Sequence, residues 1–183
     1  MAVQGARGGI RGRVRRKPLL LGVLVVALVG GATVFFSGAR PAVEVLNAVP
    51  LEQGYVDTTY AFDGLLCVGS SLTATTVTGV EIDQAQGSTT RLVLPPPDAP
   101  PTVGFPVDPD AGDPVDGYVV PAGEPDCGFR LLVTPDRVGA TQAGRVRLST
   151  TFGPGGVLRR TLVATTEVTL DVTGTGTDPR STA

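Results

Sequence analysis

Histidine and tryptophan are absent from this chain of 183 residues, and lysine occurs only once. Without histidine neither a Ser-His-Asp nor a Cys-His relay can be built, and zinc, copper or iron would lack its commonest ligand. The single lysine, Lys17, stands before a long apolar run, so Ser-Lys hydrolase chemistry is excluded from everything after it. Without tryptophan no indole can stack on a sugar ring, and tyrosine is limited to Tyr55, Tyr60 and Tyr118. Only a paired-carboxylate mechanism stays open, through residues such as Glu52, Asp57, Asp63, Glu81 or Asp83. These absences predict a protein that is not an enzyme and that uses no cofactor.

Acidic residues are missing from the first part of the chain, where Arg7, Arg11, Arg13, Arg15, Arg16 and Lys17 precede an apolar segment. From Pro18 to Ala39 no residue is charged. At a rise of about 1.5 Å per residue this stretch spans roughly 33 Å, enough for the hydrocarbon core of a bilayer. The pattern predicts a basic cytoplasmic N-terminus over 1–17 and a transmembrane signal-anchor helix over 18–39. A lipid bilayer is then the first partner, and the C-terminal domain is extracytoplasmic. Ser37, Gly38 and Ala39 also form a small-x-small pattern, so the alternative is cleavage near Ala39 and secretion. The apolar core from Leu19 to Phe36 is longer than the ~7 to 15 residues of a signal peptide, which favours the anchor.

Beyond the anchor nine basic residues face 17 acidic ones, a balance of −8. A domain of this charge repels polyanions, so no nucleic-acid partner is expected. Arginine over lysine, with abundant alanine, glycine, proline and valine, is the bias of a GC-rich bacterial genome. Cys67 and Cys127 are the only cysteines. In an oxidising compartment they predict a disulfide; there is no CxxC pair for redox work and no further ligand for a structural zinc. Closing so long a loop would stabilise the fold by about 4 kcal/mol in the chain-entropy model.

After Pro41 apolar residues alternate with polar ones between Gly, Pro and Asp. Val146, Leu148, Thr150 and Phe152 alternate with Arg145, Arg147, Ser149 and Thr151, and Val168, Leu170 and Val172 with Glu167, Thr169 and Asp171. Further strands are expected at Val43 to Ala48, Val56 to Phe62, Leu65 to Val68, Leu72 to Asp83, Thr89 to Leu94, Tyr118 to Val120, Phe129 to Thr134 and Val157 to Val163, with little or no helix. Gly153 to Gly156 mark a hairpin turn. The fold class predicted is all-β, an antiparallel immunoglobulin-like β-sandwich over 40–172 with a flexible tail over 173–183. The cysteine spacing resembles that of immunoglobulin-like domains, where the bridge pins one sheet to the other. Two hallmarks of that family are missing, since there is no tryptophan and Pro125 stands in the place of the corner tyrosine.

Residues 95–117 hold eight prolines, five aspartates and no basic residue, which excludes a central strand or a helix and predicts a surface loop. Asp108, Asp110, Asp113 and Asp116 offer hard oxygen ligands of the kind calcium takes, but without the EF-hand order or a closing glutamate, so a solvated acidic loop is the expected state. Phe105 is an exposed-looking aromatic and the interaction candidate. Arg159 and Arg160 are adjacent on one strand and point to opposite faces; one would enter the core unless that strand lies at an edge, which is the position predicted. The function expected is a binding module at the membrane, an accessory component of a membrane or cell-envelope complex. Its rivals are a tethered small-ligand-binding domain and, remotely, an envelope enzyme.

Overall fold

A computed structural model describes residues 17–46, 49–70 and 72–175. The basic head before residue 17, the end of the expected strand Val43 to Ala48, and the tail after Thr175 lie outside the described residues. The chain divides into two compact units, Met1–Ser37 and Gly38–Ala183.

Helix α1 runs Lys17–Ala39, with Pro18 in its first turn, where a missing N–H costs nothing. Its side chains are described from Val26 onward, that of Phe36 excepted. Val26, Leu28, Val29 and Val34 are exposed. The hydroxyls fold back on the helix: Thr33 Oγ1 donates to Val29 O (2.8 Å) and Ser37 Oγ to Val34 O (2.9 Å). Among the described residues no helix is long and apolar enough to cross a membrane. The part of α1 that starts at Val26 falls short of a ~30 Å core at about 1.5 Å per residue.

The second unit is all-β. Its strands are β1 (Ala42–Val45), β2 (Val49–Val56), β3 (Tyr60–Asp63), β4 (Leu66–Gly69), β5 (Thr75–Asp83), β6 (Ser88–Leu94), β7 (Val103–Pro106), β8 (Asp113–Pro114), β9 (Val119–Val120), β10 (Arg130–Pro135), β11 (Gly139–Gln142), β12 (Arg145–Phe152), β13 (Leu158–Thr165) and β14 (Val168–Thr175). They form sheets ordered β1-β4, β7-β3-β10-β6-β8, β11-β14-β2 and β13-β12-β5-β9. One apolar cluster joins all four, with Phe62, Val68, Val77, Leu131, Leu148 and Leu170 among its members. Tyr60 is fully buried in it, and its hydroxyl accepts a bond from Tyr55 N at 2.8 Å.

The β12–β13 hairpin pairs from Arg145↔Thr165 to Phe152↔Leu158 around a single 3₁₀ turn, Pro154–Gly156. Burial along β12 alternates as its sequence does. β13 ends its sheet, and Arg159 and Arg160 are both exposed. The expected strand Val56 to Phe62 is instead broken. Asp57 takes a left-handed turn with φ 61° that separates β2 from β3. β2 contains Pro50 and Gly54, residues that weaken a strand signal. Proline is tolerated there because β2 is the outer strand of its sheet. β2 pairs with β14 in parallel, so the sheets are not purely antiparallel, and that pairing carries β14 through Thr175 into the expected tail.

Cys67 and Cys127 form the disulfide. The bridge sits beside an antiparallel pairing of Val68 with Asp126, whose N–H and C=O groups exchange bonds of 2.9 Å in both directions. The cysteines are the next directly opposed pair, the closely spaced one without hydrogen bonds of its own, with a Cα–Cα distance of 4.0 Å. The disulfide therefore ties neighbouring segments side by side, unlike the sheet-to-sheet bridge that its spacing resembles.

The Pro/Asp-rich segment 95–117 is more than a solvated loop. It supplies both outer strands of the five-stranded sheet, β7 beside β3 and β8 beside β6. Proline limits it to such edges. Ala61, Val93 and Leu132 form a second buried cluster, against which Val107 of this segment packs. Gly112 permits the close return at φ 113°, since an added Cβ would lie 2.7 Å from Leu94 O.

Candidate functional site

Asp63 ends β3 and Arg130 begins β10, and the two are directly opposed in the register. Arg130 Nε and Nη2 donate to the two oxygens of Asp63, each at 2.7 Å, and the side chains are 4% and 15% exposed. The Asp63 bond holds the Arg130 guanidinium above its ordinary pKa, against the opposing effect of burial. This ion pair also fixes the first limb of the proline segment. Asp63 Oδ2 accepts Thr102 N at 2.7 Å, Asp63 N donates to Thr102 O at 2.8 Å, and Arg130 Nη2 donates to Pro100 O at 3.3 Å.

Pinned in this way, the limb forms one wall of a groove of about 340 Å³ lined by Pro95, Ala99, Pro101 and Val103, with Cys127 and Phe129 also lining it. The groove continues onto β7. Val103 and Phe105 there are 48% and 57% exposed. The strand is held by Val107 N, which donates to Thr59 O at 2.9 Å, and by Gly104, whose φ of 71° and 3.0 Å approach of an added Cβ to Leu51 Cδ1 leave little room for another residue. Behind the groove Tyr118 packs edge-on against Phe129 at 5.7 Å between ring centroids. Its hydroxyl donates to Asp126 Oδ2 at 2.5 Å. That bond, helped by burial, pushes the Tyr118 pKa up to about 12.

Phe105, the interaction candidate, is exposed on the same outer strand as Val103, two residues further along, and does not itself line the groove. The four loop aspartates do not gather: Asp108 accepts Asp110 N at 2.9 Å, Asp110 lies 3.6 Å from Arg91, Asp113 pairs in β8 with Leu94, and Asp116 is exposed. No three metal-ligating side chains cluster among the described residues. The carboxylates that were open to acid–base chemistry are also dispersed. Asp57 is in the β2–β3 turn, Asp63 is held by Arg130, Glu81 is exposed on β5, and Asp83 pairs with Arg147 at 2.7 Å. The Glu52 side chain lies outside the described residues. Sequence reasoning missed the Asp63–Arg130 clamp and the groove, because a pair 67 positions apart leaves no local pattern.

No protein family matches the chain, and no curated protein does. The arrangement of these side chains is what bears on function.

Proposed function

We propose that the chain is a membrane-anchored interaction module with a cytoplasmic N-terminus. Its extracytoplasmic domain is read as an immunoglobulin-like β-sandwich that docks an apolar, extended segment of a membrane or cell-envelope protein. The observation that carries the docking is the outer strand β7, on which Val103 lines the apolar groove and Phe105, two residues on, is exposed. An unpaired strand edge adds a partner strand through its backbone, and neighbouring pockets select the side chains. The sandwich is supported by the single core shared among sheets.

The anchor is supported by the uncharged run from Pro18 to Ala39, the exposed valines and leucine of α1, and hydroxyls satisfied within the helix, as a lipid environment requires. Retention of the segment is favoured over cleavage near Ala39. That residue is fully buried, and its carbonyl accepts Ser70 Oγ at 3.0 Å and Thr73 Oγ1 at 3.1 Å, so the bond following it is built into the domain. Action by binding rather than catalysis is supported by the absence of histidine and by the arginine and tyrosine partners of the half-buried carboxylates Asp63 and Asp126.

A photo-crosslinking residue at Phe105 of the full chain, in native membranes, tests the docking. Recurrent adducts at 105 that are absent with the same residue at exposed Val157 are expected. Equal capture at both positions, or none at 105, would remove the β7 site. A second reading, a tethered small-ligand-binding domain, is favoured by the groove volume, which falls at the small end of ligand pockets. Thermal stabilisation of the protein by one apolar small molecule, lost on Val103→Asp, would support that reading instead.

A further inference from the structure

The second unit carries an uncharged tip at one end. From Phe152 to Leu158 the hairpin between β12 and β13 reads FGPGGVL, with no polar side chain. Pro154, Gly155, Gly156 and Val157 are all exposed, Val157 at 73%, and the turn closes on itself through Gly156 N, which donates to Gly153 O at 3.0 Å. Leu72, 49% exposed, stands at the same end. The register places it there, since Phe152 opposes Thr75 at the start of β5 and Leu72 comes shortly before that strand. Leu72 N donates to Gly38 O at 3.2 Å, and Arg160 Nη1, on the tip hairpin, donates to Pro41 O at 2.8 Å. The tip and Leu72 therefore lie at the end where the chain enters this unit.

Charge separates this end from the other. Arg40, Arg159 and Arg160 match Glu44, Glu124 and Asp126 in number here, and Arg159 and Arg160 stand directly behind the tip, on opposite faces of β13. At the far end Arg145 opposes Asp83, Thr166 N donates to Gly144 O and Asp136 N to Gly87 O. Asp57, Asp83, Asp136 and Glu167 there outnumber Arg137 and Arg145. In a domain whose balance is −8, an anionic surface is thus repelled least at the tip.

We propose that the hairpin tip and Leu72 form a second contact with the bilayer, at the boundary between headgroups and acyl chains. Val157 and Leu72 supply the apolar surface removed from water, and each hairpin arginine keeps its guanidinium at headgroup level from its own face. The contact is shallow, because the unpaired peptide groups of a glycine turn are costly in hydrocarbon. That the occupant is a bilayer rests on the anchor reading of α1; the exposed apolar tip does not.

The chain has no tryptophan, so a single introduced indole is an unambiguous reporter. Full-length Val157→Trp, Val138→Trp and Val26→Trp chains are placed in nanodiscs of phosphatidylcholine and phosphatidylglycerol, brominated either beside the headgroup or near the chain ends. Val157→Trp is expected to lose about half of its emission or more to lipid brominated beside the headgroup, and less to lipid brominated near the chain ends. Val138→Trp, exposed at the far end, is expected to keep its emission. Undiminished emission from Val157→Trp, or equal quenching at 157 and 138, would overturn the contact. Leu72→Asp added to Val157→Trp is expected to restore emission; unchanged quenching would trace it to the introduced indole and overturn the contact as well. Val26→Trp, read with lipid brominated near the chain ends, tests the anchor separately. Quenching at 26 without quenching at 157 removes the contact and leaves the anchor, and the reverse removes the anchor and keeps the contact.

Discussion

Two arginine–aspartate pairs, one in each of the larger sheets, have the same 2.7 Å contact and differ in their surroundings. Arg130–Asp63 is 4% and 15% exposed, and Arg147–Asp83 is 41% and 27% exposed. The first belongs to a sheet covered on both faces, by the main core and by the cluster under Val107. The second lies on the solvent side of β12, whose other face is core. Distance alone therefore does not rank them. Solvent screens the exposed pair, whereas removing one partner of the more buried pair strands a charge that water reaches poorly.

The comparison would be broken if the two pairs responded alike. Arg130→Met is expected to cost about 3 to 5 kcal/mol in urea unfolding, and Arg130→Met with Asp63→Leu to recover most of that loss. Next in size is the covered outer face of the same sheet. Leu132→Ala is expected to destabilise by about 2 to 3 kcal/mol, and Val163→Ala, on the open face of the other sheet, by no more than about 0.5 kcal/mol. Arg147→Met is expected to cost less than about 1 kcal/mol, and raised salt to shrink that further. Tyr118–Asp126 is read against pH and not by truncation at neutral pH, since its phenol is the group that titrates. Because the folded pKa is raised from 10.0 to about 12, the fold binds the phenolic proton more tightly than the unfolded chain does. That contribution is complete below pH 10 and is lost as pH climbs through about 12. Tyr118→Phe should flatten this slope in alkaline unfolding curves.

The same contrast explains which parts of the fold could be read from residues alone. β12 and β13 were legible because one face meets water and their sequences alternate. β10 is buried at Arg130, Leu131, Leu132 and Val133 in succession, so its run shows a strand without revealing which face is inward. β7 and β8 were hidden by proline, which erases propensity while still allowing an edge position. The disulfide followed from counting cysteines, but its side-by-side geometry depends on the Val68–Asp126 pairing, which no spacing encodes. Phe105 was visible as an aromatic in a polar segment. The groove next to it needs Asp63, Thr102 and Arg130 to meet, and they come from three separate stretches of chain.

Because β7 and β8 close opposite margins of one sheet while Val107 covers its outer face, excision of 95–117 would do three things at once. Strands β3 and β6 would be left with naked edges, and Leu132 would lose its cover. Such a truncated protein presents open strand margins and fresh apolar surface to its own copies, the conditions for self-association. A loss of partner capture after that deletion would thus report aggregation as readily as a missing contact, and single replacements at Val103 or Phe105 are the informative perturbations.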